Sequence, residues 1–327
     1  MNKVRWGLLS TANINGMVIP AIRASNRGEL VAVASRSQEK SDIYAAEWEI
    51  PLSFGSYEAM LDSDEVDAVY IGLPNHLHAE WSIKAMEKGK HVLCEKPFAL
   101  TVADVERMRA VSEATGMVLA EAFMYRHHPQ TKIAGDFVRA GNIGEVTCVR
   151  GVFNFKMEGR ENVRLVPEWG GGAVWDIGCY PISISQYFLG GPPIWVFGDQ
   201  WLGESGVDEL FNGHMHYPDG RMAQFSCSFL TPFHTYVEVL GTNGRLVLTE
   251  PFRMDLGGAH LIHYPLDGEP VEIAVPEEYL YNGEVEDMQA AILDGTAPYL
   301  TLEETRNHIR TILALYESAA DHRPIRL

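Results

Sequence analysis

The chain has 327 residues, with 44 Asp and Glu against 26 Lys and Arg, so its formal net charge is −18. A chain of this length exceeds one ordinary hydrophobic core, which predicts two domains. The acidic balance disfavours nucleic acids and anionic membranes as partners, because both present negatively charged surfaces. No apolar run is long enough to span a bilayer, and the N-terminus lacks the apolar core of a secretory signal.

The cysteines indicate the compartment. Cys94, Cys148, Cys179 and Cys227 are scattered, and each lies inside an apolar run. Their spacing matches neither a metal site nor a disulfide framework. We therefore expect no metal and a cytoplasmic protein, since a reducing compartment keeps such thiols free.

The first third of the chain alternates strand patterns with helix patterns. We predict strands over Val4–Leu9, Leu30–Ala34, Ala68–Gly72, His91–Cys94 and Met117–Ala120, and helices over Ile14–Ser25, Gln38–Trp48, His76–Lys88 and Val102–Ala114. Strands that alternate with helices favour parallel pairing through right-handed crossovers. The pattern predicts an α/β domain over residues 1–124 with a doubly wound, dinucleotide-binding Rossmann sheet.

The pattern changes after about residue 125. A helix is predicted over Pro129–Arg139, and turn residues at 218–220, 242–244 and 266–268 separate alternating runs. Two helices, Gly283–Leu293 and Leu302–Ser318, end the chain. We expect residues 125–327 to form an α+β domain with a large, mostly antiparallel open sheet and helices on one face. The last helix could pack back on the first domain.

The turn over residues 7–16 is a candidate phosphate-binding loop. Aligned on G-x-G-x-x-G, its three glycine positions fall on Ser10, Ala12 and Asn15, so none is glycine. Two of the three are still small, and the turn lies between a strand and a helix, where backbone N–H groups can approach a pyrophosphate. This motif alone leaves an ordinary tight turn as an equal alternative.

The end of the second strand bears on which dinucleotide is used. An NAD site usually places Asp or Glu there to hold the ribose hydroxyls. Here the strand ends in Ser35 and Arg36, with Lys40 close behind. A guanidinium suits a 2′-phosphate, because its fork makes paired, charge-assisted hydrogen bonds. The pattern favours NADP over NAD, with a solvated surface arginine as the alternative.

A lysine at the end of a buried strand, Lys96, is hard to explain as packing, because lysine is rarely buried without a partner. It belongs to one of four motifs that follow in order at residues 74–78, 95–97, 126–130 and 170–180. Together with the first loop, these motifs resemble the Gfo/Idh/MocA family, which includes glucose–fructose oxidoreductase and inositol dehydrogenase. The resemblance covers nearly the whole chain. Within the family, Tyr180 and residues 126–130 resemble the NADP-dependent aldose (xylose) dehydrogenases, dihydrodiol dehydrogenases and keto-sugar reductases.

The resemblance implies a set of site residues. Its catalytic members are Lys96 and, facing that lysine across the domain cleft, Asp176 and Tyr180. Arg164 is placed with the cofactor-binding residues, although substrate binding and a solvated loop position stay open for it. The implied cofactor-binding residues are Ser10, Thr11, Ala12, Asn13, Ile14, Ser35, Arg36, Lys40, Leu73, Pro74, Asn75, His78, Glu95, Lys96 and Arg164.

The chemistry of hydride transfer fits these residue types. On a helix, the four-residue spacing of Asp176 and Tyr180 puts both side chains on one face, although Gly178 and Pro181 weaken that reading. Tyrosine, with an ordinary pKa of about 10, becomes a better base beside an ammonium such as that of Lys96. Asp176 could hold the lysine charged or bind a substrate hydroxyl. The alternative is that Asp176 caps a helix and Tyr180 is core.

These features predict an NADP(H)-dependent oxidoreductase acting on a CH–OH or C=O carbon of a sugar or sugar-like polyol, with an aldose (D-xylose-like) 1-dehydrogenase favoured. The alternatives are a reductase of keto-sugars or nucleotide-linked keto-sugars and, in another class, a non-catalytic NADP(H)-binding sensor. The resemblance also implies a homodimer or homotetramer formed through the C-terminal sheet. Substrate contact is left open for four histidines: His127, His128, His214 and His216.

Overall fold

The computed structural model describes residues 3–159 and 161–327. The chain divides into two compact units, which are Met1–His127 with Tyr281–Thr305 (unit 1) and His128–Leu280 with Arg306–Leu327 (unit 2). The sequence predicted a single boundary at 124/125. In the structure the chain also returns to unit 1 near its end. The penultimate helix and the start of the last helix belong to unit 1, whereas most of the last helix belongs to unit 2.

The strands are, in chain order, β1 Val4–Leu9, β2 Gly28–Ala34, β3 Leu52–Phe54, β4 Ala68–Ile71, β5 His91–Glu95, β6 Leu119–Ala122, β7 Val146–Asn154, β8 Trp195–Leu202, β9 Asp208–His216, β10 Met222–Ser228, β11 His234–Gly241, β12 Gly244–Thr249, β13 Leu261–Pro265, β14 Val271–Ile273 and β15 Ile325–Arg326. The α-helices are α1 Asn15–Ala24, α2 Gln38–Glu47, α3 Tyr57–Leu61, α4 His78–Glu87, α5 Val102–Thr115, α6 Pro129–Arg139, α7 Cys179–Leu189, α8 Asn282–Asp294 and α9 Leu302–Asp321.

Unit 1 contains a six-stranded sheet in the order β3-β2-β1-β4-β5-β6. All its pairs are parallel, which confirms the predicted doubly wound sheet. Strands β1 and β4 are nearly continuous buried runs, as expected where helices cover both faces of a parallel sheet. The strand order reverses between β1 and β4, and ligands bind beyond the carboxyl ends of the strands at such a switch point.

Helix α8 joins unit 1 through its contact with the start of β2. The Ser25 hydroxyl donates to Gln289 Oε1 at 2.7 Å. A Cβ on Gly28 would lie 2.5 Å from Gln289 Nε2, so only glycine allows this approach. Val285 and Met288 of α8 are buried. The amphipathic pattern predicted the helix, but not the surface that its apolar face covers.

Unit 2 contains a nine-stranded sheet in the order β14-β13-β12-β11-β7-β10-β9-β8-β15. Only the β7–β10 pair is parallel, so the predicted mostly antiparallel sheet is confirmed. All three predicted turns join neighbouring strands, as β9–β10, β11–β12 and β13–β14.

Helix α7 packs closely on β7. A Cβ on Gly151 would lie 2.7 Å from Pro181 Cβ, so the missing side chain permits the contact. A π-helical segment, Val174–Gly178, directly precedes α7. Over residues 3–159 and 161–327, no helix is both long enough and apolar enough to cross a membrane.

Candidate functional site

The β1–α1 loop has the backbone of a phosphate-binding turn. Ser10 has a φ of 152°, a conformation that favours glycine, and it occupies the first glycine position of the motif. Its hydroxyl donates to the Gly72 carbonyl at 3.2 Å. Asn15, at the third glycine position, is buried and donates from Nδ2 to the Ser10 carbonyl at 2.8 Å. Side-chain hydrogen bonds thus brace a turn that glycines usually build.

The residues between these two anchors can face an anion. Thr11 and Ala12 are half-buried, and Asn13 is exposed. Ile14 precedes α1 and makes no side-chain cap to it. The first N–H groups of a helix have no intrahelical partner and carry the positive end of its dipole. The loop therefore places the positive end of the α1 dipole where a pyrophosphate would bind.

Two cations lie where β2 ends. Arg36 and Lys40 are both exposed, whereas Ser35 is buried and donates its backbone N–H to the Phe54 carbonyl at 3.0 Å. Burial raises the pKa of the Tyr57 hydroxyl, an effect opposed by the nearby guanidinium of Arg36. Sequence reasoning missed Tyr57, because α3 was not predicted. Its hydroxyl lies close enough to the exposed Arg36 guanidinium for the two groups to interact electrostatically.

The loop after β4 holds Leu73, which is buried, and Pro74 and Asn75, which are half-buried. His78 lies deeper and is completely buried. Its Nε2 lies 2.8 Å from the Leu73 carbonyl, and its Nδ1 lies 2.8 Å from the Pro97 carbonyl. Burial lowers the pKa of this imidazole. Nδ1 thus joins His78 to Pro97, the residue after Lys96, and the cofactor contact of His78 stays a prediction.

Strand β5 ends at Glu95, and Lys96 follows it, half-buried at the sheet edge. The Tyr70 hydroxyl donates to Glu95 Oε1, and the Lys96 backbone N–H donates to Glu95 Oε2 at 3.1 Å. Burial and the nearby Glu95 carboxylate raise the pKa of Tyr70 well above its usual value. Glu95, predicted to bind the cofactor, is therefore engaged with its own strand and with Tyr70.

The sheet order brings the candidate residues of unit 1 to one edge. Strands β2, β1, β4 and β5 are successive neighbours, and the carboxyl ends of parallel strands lie on the same side. The phosphate loop, Arg36, the residues after β4 and Lys96 therefore share that edge. This is the edge at which open α/β sheets bind dinucleotides.

In unit 2 a π-segment lies at the place where Gly178 and Pro181 already argued against a regular helix. Asp176 lies within the segment, and Tyr180 lies in the first turn of α7. A Cβ on Gly178 would lie 2.8 Å from Cys227 Sγ, so the close packing here depends on glycine. π-turns are rare and frequently occur at functional sites.

Asp176 is paired with Arg164. Arg164 Nε donates to Asp176 Oδ2 at 2.6 Å, and the two side chains are 42% and 15% exposed. The Asp176 carboxylate raises the pKa of Arg164, and Tyr180 adds a smaller effect in the same direction. Arg164 was placed with the cofactor-binding residues. Within unit 2 it lies beside the two candidate catalytic residues, and its cofactor contact stays a prediction.

Tyr180 lies in an aromatic cluster of unit 2. Its ring centroid lies 5.2 Å from that of Phe153 and 5.2 Å from that of Phe252. Tyr180 is 4% exposed. The cluster fixes the ring, so replacing the tyrosine with phenylalanine would preserve the packing.

The structure places the four histidines whose substrate contact was left open. His214 and His216 alternate along β9 with residues that are buried under the helices, so they lie on the other face of the sheet. There the His216 ring stacks on the Trp195 ring, with 3.5 Å between the ring centroids. His127 is buried in unit 1, and His128 caps α6 by accepting from the Gln130 N–H. In the described part of the chain, no three His, Cys, Asp or Glu side chains form a group that could hold a metal.

Comparison with known proteins gives family matches to both halves of the chain. Residues 4–123 match an oxidoreductase family with an NAD-binding Rossmann fold, and residues 132–247 match the GFO/IDH/MocA C-terminal domain. The chain is 39% identical over 316 residues to a D-xylose 1-dehydrogenase (NADP(+)) of Haloferax volcanii, covering 96% of this chain and 97% of the relative.

Further relatives agree. The chain is 30% identical to a dTDP-3,4-didehydro-2,6-dideoxy-alpha-D-glucose 3-reductase of Actinomadura kijaniata, covering 98% of this chain and 97% of the relative. It superposes on the crystal structure of an aldose-aldose oxidoreductase from Caulobacter crescentus with a TM-score of 0.92 and 25% identity, covering 99% of this chain and 100% of the other. The chain therefore belongs to the Gfo/Idh/MocA family of oxidoreductases, which confirms the family that its motifs predicted.

Proposed function

We propose that the protein is an NADP(H)-dependent aldose 1-dehydrogenase that oxidises D-xylose or a closely similar sugar. The observation that carries the proposal is the position of Lys96, on the same sheet edge as the phosphate loop and Arg36. It is supported by the 39% identity to an NADP-dependent xylose dehydrogenase over almost the whole of both chains.

NADP is favoured over NAD by the charge at the end of β2. Arg36 is exposed and lies near the Tyr57 hydroxyl, and Lys40 is exposed nearby. A guanidinium at this place can make charge-assisted hydrogen bonds to a 2′-phosphate. Ser10 and Asn15 shape the loop whose backbone N–H groups would hold the pyrophosphate.

The bound nicotinamide supplies the hydride chemistry. Tyr180 takes the proton of the substrate hydroxyl as the alcohol carbon becomes a carbonyl, and it returns that proton in the reverse direction. The Lys96 ammonium donates a hydrogen bond to the substrate oxygen and stabilises the negative charge that develops there. Asp176, oriented by Arg164 at 2.6 Å, accepts a hydrogen bond from a second sugar hydroxyl.

A second candidate is a keto-sugar reductase. The Actinomadura kijaniata relative is named as such an enzyme, as is a 1,5-anhydro-D-fructose reductase of Ensifer adhaerens that is 35% identical over 251 residues. Hydride transfer is reversible, so the same three residues serve either direction. A non-catalytic sensor is disfavoured, because binding NADP(H) would not require Lys96, Asp176 and Tyr180 together.

Spectrophotometric screening tests these alternatives. Purified protein is given NADP⁺ or NAD⁺ with a panel of aldoses and polyols, and NADPH with a panel of keto-sugars. We expect NADP⁺ reduction with D-xylose or a close analogue, at a higher kcat/KM than with NAD⁺. Turnover only with NADPH and keto-sugars would replace the dehydrogenase with the reductase. Tight NADPH binding without turnover across all panels would favour the sensor.

We also propose a cytoplasmic homodimer or homotetramer. All four cysteines are free thiols, as expected in a reducing compartment. Trp201 and Met222, on β8 and β10, are 53% and 39% exposed on the sheet face opposite α7, and apolar groups so placed favour a partner subunit. Light scattering after size-exclusion chromatography should give a dimer or tetramer mass, and Trp201→Glu should lower it. A monomer at all concentrations would contradict this assembly.

A further inference from the structure

A buried carboxylate lies beneath the turn that carries the candidate catalytic residues of unit 2. Asp208 begins β9 and is 2% exposed. Its Oδ2 accepts a hydrogen bond from the Val174 N–H at 2.8 Å, and its Oδ1 accepts one from the Tyr316 hydroxyl at 2.7 Å. Burying a carboxylate is costly unless it is hydrogen-bonded, so both donors are needed. These two hydrogen bonds join β9, α9 and the start of the π-segment.

The glycine run before the π-segment is shaped around this carboxylate. Gly172 has a φ of 125°, and a Cβ there would lie 2.0 Å from Asp208 Oδ1. On its other side, the Gly172 N–H donates to the Arg164 carbonyl at 2.9 Å. A Cβ on Gly171 would lie 2.6 Å from that same carbonyl. The glycine run therefore has the Arg164 backbone on one side and Asp208 on the other.

Helix α9 holds the same turn at two further points. The Tyr316 ring lies 5.8 Å, centroid to centroid, from the Trp175 ring within the π-segment. His308 Nε2 lies 2.8 Å from the Cys179 carbonyl, at the first residue of α7. The orientation of Asp176 and Tyr180 therefore depends on side chains that arise far along the chain.

We propose that Asp208 and Tyr316 are positioning residues for the reaction, a buried clamp that fixes the π-segment bearing Asp176 and the first turn of α7 bearing Tyr180. They act through these two side chains and do not touch the substrate. The inference rests on the proposed catalytic role of Tyr180.

Three substitutions separate the parts of the clamp. Asp208→Asn keeps the shape, and its amide can still accept from the Val174 N–H while donating to the Tyr316 oxygen, so turnover should be largely kept. Asp208→Ala removes both contacts and should lower kcat by roughly a hundredfold, the scale reported for small misplacements of catalytic groups. Tyr316→Phe removes one contact and should lower kcat less. NADPH affinity should not change in any of the three.

Ser318→Ala is the matched control. Ser318 lies on the same helix, where its hydroxyl accepts from the Gly198 N–H at 3.0 Å and donates to the Arg323 carbonyl at 2.6 Å. Its loss should lower the melting temperature and leave kcat unchanged. All kcat values are measured well below the melting temperature of each variant.

A double-mutant cycle decides between positioning and general stability. In the Tyr180→Phe background, adding Tyr316→Phe should cost less kcat than it does in the wild type, because the part of the clamp's effect that passes through the Tyr180 hydroxyl is already lost. Additive losses, or a kcat within twofold of wild type for both Asp208→Ala and Tyr316→Phe, would overturn the clamp. If Asp208→Ala fails to fold, Tyr316→Phe and the cycle decide alone. Full turnover by Tyr180→Phe would instead refute the proposed function of Tyr180.

Discussion

Replacing Glu121 with glutamine should change the stability of the protein at alkaline pH more than at acid pH. Glu121, on β6, is 2% exposed, and its carboxyl accepts from the Phe98 N–H at 3.3 Å and from the Thr305 hydroxyl at 2.8 Å. Burial raises its pKa from the usual 4.5 to about 7, and the Glu95 carboxylate acts in the same direction. Burial and Glu95 together outweigh the two hydrogen-bond donors and Arg126, which lower the pKa of Glu121.

The direction in which stability changes with pH follows from the proton affinity of Glu121 in the folded and unfolded states. The folded protein holds the Glu121 proton more tightly than the unfolded chain does, so this group stabilises the fold below pH 4.5. That stabilisation is lost as the pH rises through about 7, where the folded protein must bury a charge. The difference between the two pKa values corresponds to roughly 3 kcal/mol in the free energy of unfolding.

Urea unfolding of the wild type and of Glu121→Gln, at about pH 5 and about pH 8, measures the effect. The glutamine is never charged and can still accept from Phe98 and donate to the Thr305 oxygen. At each pH we compare the free energy of unfolding of Glu121→Gln with that of the wild type. This difference should shift in favour of the variant by up to about 3 kcal/mol between the lower and the higher pH. Glu113→Gln, at an exposed position on α5, is the control and should show no such gain. An equal difference at both pH values would refute the reasoning.

Three further predictions concern the candidate site. Arg36→Asp should shift the ratio of kcat/KM for NADP⁺ over NAD⁺ towards NAD⁺, because a carboxylate repels the 2′-phosphate, and an unchanged ratio would remove Arg36 from cofactor recognition. Tyr57→Phe should raise the KM for NADP⁺ more than that for NAD⁺, because it removes the hydroxyl that lies beside the Arg36 guanidinium, and equal effects would contradict a role for Tyr57 in placing that guanidinium. Tyr180→Phe should lower turnover by roughly a hundredfold to ten-thousandfold and flatten its rise with pH, while the melting temperature stays near that of the wild type. Near-normal turnover would make Tyr180 a core residue only.

The sequence predicted those parts of the fold that local pattern determines. Parallel strands such as β1 and β4 are buried on both faces and therefore read as continuous apolar runs. The antiparallel hairpins were marked by turn residues. Strand β3 and helix α3 were missed because Leu52–Phe54 is short and only half-buried, so it carries little periodicity. The return of α8 to unit 1 depends on a contact between Gly28 and Gln289, which local pattern cannot specify.

The residues of the candidate site likewise divide into those that local pattern could locate and those whose contacts depend on the tertiary fold. Arg36 and Lys96 could be located because each follows a strand with a clear pattern, and parallel strands end at a common edge. His78 could not be assigned its role, since only the tertiary fold brings the Leu73 and Pro97 carbonyls to its two nitrogens. Asp208 was missed for a similar reason, because its donors come from two distant segments. Gly178 and Pro181 signalled an irregular helix, but not that it was a π-segment.

The measurement that tests the central claim most directly is turnover by Lys96→Met alongside NADPH binding by the same preparation. We expect the substitution to abolish sugar-dependent NADP⁺ reduction, because the substrate oxygen loses its ammonium donor. NADPH should still bind with an affinity close to that of the wild type, since the phosphate loop and Arg36 are untouched. Near-normal turnover by Lys96→Met, with cofactor binding intact, would contradict the account.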